Sequence, residues 1–441
     1  MPQTPAGQPL PGAVFELLEV RGDQDHGVLA PLDTRSEDMP PGGDAAALHL
    51  WLRVHVSPDA TPGIYGCLLT LQSGQWSARV PLTLRVHNVT VDAPQVRGPF
   101  RAELWQPWGT LDRQGGPVLF SDQWWDYVRD AASELGRGGG AVQVGRAYFG
   151  WTRLGTDNWQ FDFTRFDRYI ELCEQAGLVG PISYVGMFST TGPTAIHYTD
   201  ADGAAQSLDC EPGSDAYAEA WGAFLEALAA HCAEQGRGSR LVIWPADRPR
   251  TDDDRTRFAH AAEIVRAADP TIRIAVTADD AESALPLLEH VDIIALPWGA
   301  ALALPPETRQ ALAAAGVELL GYLGPGDSVG YGLAVDALAH GLDGLLAPDP
   351  VLHIGQTTAH GAGALYAAPE HPLPTVAGER LLLGLQDARL LMLLPSTSRE
   401  GVLAELQAAA QGSGENLRAA RVALLETVSG ATPAVSAPTA D

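Results

Sequence analysis

The chain has 441 residues, of which 46% are hydrophobic and 19% charged, and this is the composition of a folded protein with two or three domains. Its formal net charge is −26, and all 28 basic residues are arginine, because the sequence contains no lysine. No basic cluster interrupts this acidity, so the sequence argues against nucleic acid and anionic membranes as partners.

The cysteines and the start of the chain predict neither a metal site nor export. None of the four cysteines has the CxxC spacing of a zinc site, and no His/Cys cluster accompanies them. Residues 1–12 lack the basic start and the apolar segment of a signal peptide, and no stretch approaches membrane-spanning length. We therefore expect a cytoplasmic protein that begins with a disordered segment over residues 1–12.

Residues 13–96 have the pattern of an antiparallel β domain. Polar and apolar residues alternate over 48–56, and two further strand patterns, 65–71 and 78–86, follow a Pro-Gly turn signal. Short strands separated by such turns are typical of sandwiches. We predict a small antiparallel β-sandwich domain here.

Over residues 97–395, short apolar runs alternate with longer amphipathic stretches. The strand candidates are Arg101–Trp105, Ala141–Phe149, Pro181–Phe188, Arg240–Pro245, Ile272–Thr277, Asp292–Pro297, Glu318–Leu323 and Gly344–Ala347. The helix candidates are Gln123–Leu135, Phe163–Ala176, Asp215–Glu234, Asp253–Ala268, Ala281–His290, Pro306–Ala315, Gly330–His340 and Glu379–Leu394. Eight strand–helix units predict an α/β fold whose parallel strands close a (β/α)8 TIM-type barrel.

The chain after the barrel has two further segments. Residues 396–428 predict a C-terminal helical extension, interrupted near Gly412. Residues 429–441 are small and polar, and we expect this tail to be disordered.

Aromatic and charged residues collect at the predicted carboxyl ends of the barrel strands, where barrel enzymes keep their sites. Aromatic rings stack on sugars and carboxylates bind hydroxyl groups, so this set predicts a carbohydrate site, although any single aromatic is more often a packing residue. The candidate substrate-binding residues are Trp105, Trp108, Tyr148, Tyr198, Trp244, Arg248, Asp279, Trp298 and Tyr322.

Ten segments carry, in the same order along the chain, the resemblance to a known family. They are Trp51–Tyr65, Phe161–Ile170, Ile182–Met187, His197–Gly203, Ser214–Tyr217, Trp221–Phe224, Tyr322–Asp327, Asp343–Leu345, Gly363–Tyr366 and Leu385–Arg389. Together they resemble glycoside hydrolase family 123 over residues 15–395. The resemblance implies an exo-acting β-N-acetylhexosaminidase, typically a β-N-acetylgalactosaminidase, with a substrate-assisted retaining mechanism. In such a mechanism the acetamido oxygen of the sugar attacks its own anomeric carbon.

The chain departs from this family at the catalytic pair. Relatives carry an Asp that orients the acetamide and a Glu that is the general acid/base, often as Asp-Glu-Arg-Pro at the end of the fourth strand. Here Ala246-Asp247-Arg248-Pro249 stands in that place. One register puts Ala246 at the Asp position and Asp247 at the Glu position, and the other puts Asp247 and Arg248 there. Either register leaves one carboxylate, so Asp247 is the candidate catalytic residue.

Three further family features are replaced. They are an aromatic after the third strand, a Trp/Asn-rich run after the last strand and an Arg-Asp-Gly step in the C-terminal helix. The replacements are Ser189-Thr190-Thr191, Leu346-Ala347-Pro348-Asp349-Pro350 and Leu382-Leu383-Gly384.

Three hypotheses follow from these residues. The first is an amino-sugar glycosidase in which Asp247 is the acid/base and Asp279, Asp200 or Asp202 replaces the lost partner. The second is a catalytically inactive barrel that binds glycan or serves as a scaffold, in which Asp247 pairs with Arg248 or another arginine and has a depressed pKa. The third is a barrel that performs a different reaction on a sugar. Acid/base hydrolysis needs no cofactor, so we expect none, and the oligomeric state is left open.

Overall fold

A computed structural model describes residues 2–5, 7–21, 27–31, 49–73, 75–91, 100–105, 116–324, 327, 329–348, 351–352, 364–368, 371–412 and 414–431. Its contacts divide the chain into two compact units. One unit joins Met1–Asp92 to Gln386–Asp441, and the other is Ala93–Leu385.

Two small antiparallel sheets form the N-terminal part of the first unit. Strands β1 (Val14–Arg21), β2 (Val28–Pro31) and β3 (Leu50–His55) pair in the order β2–β1–β3. Strands β4 (Gly63–Ser73) and β5 (Trp76–Val86) form a hairpin. The antiparallel pairing that the sequence predicts is confirmed. Within the segment predicted to be disordered, the backbone of Gln3 pairs with Gly66, and Leu10 is completely buried.

The second unit contains the barrel. Its strands are β6 (Arg101–Trp105), β7 (Val142–Val144), β10 (Ile182–Val185), β13 (Leu241–Trp244), β14 (Arg273–Thr277), β15 (Ile293–Pro297), β16 (Glu318–Tyr322) and β17 (Gly344–Pro348). All neighbours in the sheet run parallel, in the order β6–β17–β16–β15–β14–β13–β10–β7. The backbone N–H of Ala141 donates to the carbonyl of Ala102 at 3.3 Å, which brings β7 against β6 and nearly closes the circle. The predicted (β/α)8 barrel is confirmed.

Helices follow the barrel strands, as predicted. They are α1 (Asp122–Gly136), α2 (Thr164–Gln175), α3 (Asp215–Glu234), α4 (Asp252–Ala268), α5 (Ala281–Ala284), α6 (Trp298–Leu302), α7 (Pro306–Ala314), α8 (Gly332–Ala339) and α9 (Val376–Met392). Local capping fixes several starts: Ser121 caps α1, Ser214 caps α3, and Thr251 forms a capping box with Asp254 at α4.

Two further sheets lie outside the eight barrel strands, and the sequence predicts neither of them. Strands β8 (Gly150–Arg153), β9 (Trp159–Asp162), β11 (Ala195–Asp200) and β12 (Ala205–Asp209) form a sheet in the order β12–β11–β8–β9. Strands β18 (Val351–Leu352), β19 (Leu365–Ala367) and β20 (Pro372–Pro374) form another.

The predicted C-terminal helices are confirmed as α10 (Ser396–Ala410) and α11 (Gly414–Ala431). Helix α11 extends past residue 428, and the rest of the predicted disordered tail lies outside the described residues. Among the described helices, none combines the length and the apolar character that crossing a bilayer requires.

Alternate residues of each barrel strand point into the barrel, and there they form an apolar layer above a charged one. The apolar cluster includes Trp105, Trp244 and Leu320. Below it on β6, Glu103 is completely buried and Arg101 is 4% exposed, and their side chains form an ion pair at 2.6 Å. The described part of the barrel interior is therefore filled with side chains, and a ligand site is expected at the strand ends.

Candidate active site

The fourth barrel strand ends at the candidate catalytic residue. Two residues after Trp244, the chain places Ala246 in a buried position and then turns Asp247 outward, with 58% of its side chain exposed. Asp247 Oδ1 accepts a hydrogen bond from Thr277 Oγ1 at 2.5 Å, and Oδ2 accepts from Arg248 Nε at 3.2 Å and Nη2 at 3.1 Å. Both carboxylate oxygens are thus occupied as acceptors.

Thr277 holds this turn together because β13 and β14 are parallel neighbours whose carboxyl ends meet. Its hydroxyl group donates to Asp247 and accepts the backbone N–H of Arg248 at 3.0 Å. Arg248 adopts φ 45°, the left-handed region that costs a non-glycine residue roughly 1–2 kcal/mol. The bond to Thr277 offsets part of that strain, so a buried threonine fixes both the backbone and the carboxylate of the turn.

A second ion pair lies beside the first. Arg250 binds both oxygens of Asp279, with its Nε at 2.6 Å and its Nη2 at 3.1 Å, and Arg248 Nη1 lies 3.9 Å from Asp279 Oδ1. The hydrogen bond from Arg250 lowers the pKa of Asp279 below its ordinary value, and the charges of Arg250 and Arg248 act in the same direction. Arg248 therefore links the two carboxylates, and Asp279 stays ionised at neutral pH.

The loop after the third strand reaches the same turn. Thr190, in the serine–threonine run that replaces a family aromatic, donates its hydroxyl hydrogen to the carbonyl of Asp247 at 3.1 Å. Farther along that loop, Arg257 binds Thr194 at 3.0 Å and Glu211 at 2.6 Å, and its guanidinium lies over the ring of Phe188. This anchoring keeps the loop beside the candidate acid.

Two of the predicted sugar-binding tryptophans lie inside the barrel rather than on its rim. Trp105 is 7% exposed and Trp244 is 1% exposed, and their rings meet edge to face at 4.6 Å. Trp105 Nε1 donates to Glu103 at 2.7 Å, and Tyr322 packs against the same cluster while half-buried. These rings form the floor beneath the Asp247 turn, and their contact with a sugar stays a prediction.

The remaining predicted aromatics are dispersed. Tyr148 is buried and stacks on Tyr169 at 4.6 Å, so it packs against α2. Tyr198 lies on β11, half-buried, with its ring 5.3 Å from that of Trp159. Trp298 begins α6 and covers Gly321, where an added Cβ would lie 2.7 Å from its ring. Trp108 lies outside the described residues.

The loop carboxylates considered as replacement partners behave differently from Asp279. Asp200 accepts hydrogen bonds from the backbone of Asp202 and Ala204 and from the side chain of Gln206, so it stabilises its own turn. Asp202 is exposed at the tip of that turn. Of the three carboxylates, Asp279 alone is linked to Asp247, through Arg248. Within the described ranges no group of three His, Cys, Asp or Glu residues could hold a metal ion.

Sequence reasoning missed Thr277 and Arg250. Thr277 is the last residue of a predicted strand, and polar residues at strand ends are the signal that could have found it. Arg250 is separated from Asp279 by 29 positions, and nothing in the spacing pairs them.

We expect Thr277→Val to destabilise the protein by about 1–2 kcal/mol, because the Arg248 backbone N–H loses its acceptor and Asp247 loses a donor. Urea denaturation of the variant beside the wild type measures this. Thr277→Ser keeps the hydroxyl group and is the matched control. Equal stability of the valine and serine variants would show that the hydroxyl group does not hold the turn.

Comparison with known proteins places this geometry in a family context. The model of the glycoside hydrolase 123 catalytic domain matches residues 119–316, which include Asp247 and Asp279. No curated protein sequence matches the chain.

Solved structures resemble this chain to different degrees. A family 123 glycoside hydrolase from Clostridium perfringens, solved in work on glycolipid glycan hydrolysis, is 15% identical with a TM-score of 0.65, over 98% of this chain and 87% of that chain. A family 113 β-mannanase from Alicyclobacillus acidocaldarius is 10% identical with a TM-score of 0.38, over 66% and 98% of the two chains. A β-D-glucuronidase from Dictyoglomus thermophilum is 11% identical with a TM-score of 0.39, over 87% and 65%.

The first of these structures matches nearly the whole chain, and the family model matches the part of the barrel that carries the Asp247 turn. The resemblance that the sequence predicts is therefore confirmed: residues 119–316 resemble the glycoside hydrolase 123 catalytic domain, and the fold resembles that of a family 123 enzyme over nearly the whole chain.

Proposed function

We propose that this protein binds β-linked N-acetylhexosaminides, of the N-acetylgalactosaminide type, at the carboxyl ends of its barrel strands and hydrolyses them from the chain end. The observation that carries the proposal is the position of Asp247. It is an exposed carboxylate at the end of the fourth strand of a family 123-like barrel, where the family places its catalytic pair.

Asp247 supplies the general acid/base in this proposal. Its carboxyl proton goes to the glycosidic oxygen as the bond to the anomeric carbon breaks, and the acetamido oxygen of the sugar forms the new bond to that carbon. Water then opens the cyclic intermediate and returns a proton to Asp247. Arg248 must release one oxygen of Asp247 for this step, since both oxygens accept hydrogen bonds in the structure.

Asp279 replaces the missing acetamide-orienting carboxylate. It reaches the Asp247 turn through Arg248, and its lowered pKa keeps it ionised. An ionised group suits the stabilisation of the positive charge that develops on the cyclising acetamide. The two carboxylates then have the different protonation roles that substrate-assisted hydrolysis requires.

Binding without turnover is the second candidate, and the ion pair between Asp247 and Arg248 favours it. A carboxylate that accepts two hydrogen bonds from a guanidinium and one from a threonine is held in place as an acceptor by these partners. The same site would then hold the sugar through hydrogen bonds alone.

Two assays on the full chain separate these candidates. The first measures nitrophenol release from aryl β-N-acetylgalactosaminide and β-N-acetylglucosaminide across pH. The second measures calorimetric binding of N-acetylgalactosamine and of its thiazoline analogue, which mimics the cyclic intermediate. Release of nitrophenol supports hydrolysis. Binding without release supports the second candidate, and the absence of both overturns the carbohydrate site.

A further inference from the structure

A second polar cluster lies outside the Asp247 site, in the shell between the barrel wall and helix α3. We call it the Arg146 cluster, and it consists of Arg146, Trp151, Tyr184, Tyr217 and Trp221. Arg146 follows β7 at the carboxyl edge of the barrel, Tyr184 is on β10, and Tyr217 and Trp221 are on α3. The proposed hydrolysis does not use these residues, three of which lie in segments that carry the family resemblance.

The cluster has hydrogen-bond donors without acceptors. The hydroxyl groups of Tyr184 and Tyr217 and the indole Nε1 atoms of Trp151 and Trp221 are buried and have no hydrogen-bond partner. Both tyrosines are completely buried, and the tryptophans are 4% and 2% exposed. An indole N–H can only donate, and leaving buried donors unpaired costs about 1–3 kcal/mol each.

Ring distances show that these groups are neighbours. The ring of Trp221 lies 5.3 Å from Trp151, 5.9 Å from Tyr184 and 6.0 Å from Tyr217. The guanidinium carbon of Arg146 lies 4.5 Å from the centre of the Trp151 ring. The guanidinium and the four residues that carry the buried donors therefore pack together in one region.

Arg146 brings a positive charge that no described carboxylate neutralises. Its Nη2 donates to the carbonyl of His197, a neutral acceptor, and among the described residues no acidic side chain lies within ion-pair distance of it. Burial lowers the pKa of Arg146, and the groups that oppose this effect are the Tyr184 phenol and the Cys210 thiol. Both are neutral at pH 7.

The carboxylate of Glu211 already has an arginine partner. The charge of Glu211 acts on Tyr217, but Glu211 accepts a hydrogen bond from Arg257 at 2.6 Å. Burial raises the pKa of Tyr217 well above its ordinary value, so this phenol keeps its proton and remains a donor. A half-buried cation beside buried donors is an arrangement that can bind an anion.

We propose that the Arg146 cluster binds one small inorganic anion of the chloride type, held by the Arg146 guanidinium and by the hydroxyl groups of Tyr184 and Tyr217. The ligand is small because the rings that enclose it are almost completely buried. The net charge of −26 disfavours nonspecific anion binding, so binding of the anion at this site depends on these local donors. The inference is independent of whether Asp247 catalyses hydrolysis.

Thermal unfolding in two sodium salts at equal ionic strength tests the proposal. Chloride is compared with methanesulfonate, which is too bulky for the cluster but screens charges equally. We expect chloride to raise the Tm of the full chain in proportion to the logarithm of its concentration once that concentration exceeds Kd, by about 2–5 °C at roughly 100 times Kd. The same Tm in both salts would overturn the proposal.

Two variants assign the effect to the cluster. Arg146→Gln is expected to abolish the chloride-specific rise, and the matched control Arg129→Gln, on an exposed arginine that pairs with Asp126 on α1, is expected to keep it. Tyr217→Phe removes one donor and is expected to raise the Kd for chloride, fitted to the dependence of Tm on chloride concentration, by at least about 5-fold, a loss on the order of one hydrogen bond. An unchanged Kd in Tyr217→Phe, or a chloride-specific rise in Tm that survives Arg146→Gln, would contradict the assignment.

Crystals of the wild type grown in bromide give a direct readout that needs no variant. An anomalous peak beside the Arg146 guanidinium supports the site. Water alone at that position overturns it.

Discussion

Asp247→Asn is expected to lower kcat/KM for aryl β-N-acetylgalactosaminide by about 10²–10⁴-fold, the contribution typical of general acid–base catalysis. Asparagine has the shape of aspartate but cannot deliver a proton to the leaving oxygen. The side chain is 58% exposed, so the fold should survive. Steady-state kinetics with matched thermal unfolding curves measures the loss.

Asp253→Asn is the control, because Asp253 is an exposed carboxylate in the first turn of α4, on the same βα segment as Asp247. It should retain wild-type kinetics. Activity of Asp247→Asn equal to that of the control would remove Asp247 from the acid role, whereas sugar binding retained by an inactive wild type would favour binding without turnover.

Arg101→Met is expected to reduce the free energy of unfolding by about 3–5 kcal/mol, because it removes one partner of a buried ion pair. Arg101 is bonded to Glu103 at 2.6 Å and to Glu318 at 2.9 Å, and Glu103 is completely buried. The variant leaves the Glu103 carboxylate inside the barrel without its cation. Urea denaturation of the full chain measures the change.

The double variant Arg101→Met/Glu103→Gln should recover part of that loss, since the remaining amide carries no charge. Arg129→Met breaks an exposed pair with Asp126 and should cost less than about 1 kcal/mol. If Arg101→Met lowers the free energy of unfolding no more than Arg129→Met does, the charged layer contributes little to the stability of the barrel.

The barrel strands could be predicted because each is an apolar run between turn signals. Arg101–Trp105 matches β6 residue for residue, and the other seven predictions overlap their strands, although β7 ends at Val144 and the predicted strand continues to Phe149. The sheet that contains β11 and β12 could not be predicted, because its strands are short. Strand β12 is mostly exposed and polar, so no alternating apolar face marks it in the sequence.

The candidate site could be predicted only as a set of strand-end residues. The sequence indicates Asp247, Arg248 and Asp279, but their pairing depends on how far parallel neighbours are offset, and Thr277 lies 30 positions from Asp247. Trp105 and Trp244 illustrate the same difficulty, because a strand-end aromatic can face the ligand or fill the interior. The way the barrel closes decides whether such an aromatic faces the ligand or the interior, and the spacing of residues in the sequence does not show how the barrel closes.

The charged layer inside the barrel also bears on how the chain folds as it is synthesised. Strand β6 leaves the ribosome first among the barrel strands, yet Arg101 bonds to Glu318, 217 residues later. Its sheet neighbour β17 is also synthesised late, so until then β6 has an open edge, and such edges invite pairing with other chains. Two charges on its inward face, Arg101 and Glu103, disfavour that pairing, because burying them in a foreign sheet would leave them without their native partners. The charged residues inside the finished barrel thus also protect its first strand from wrong pairing until the last strand is synthesised.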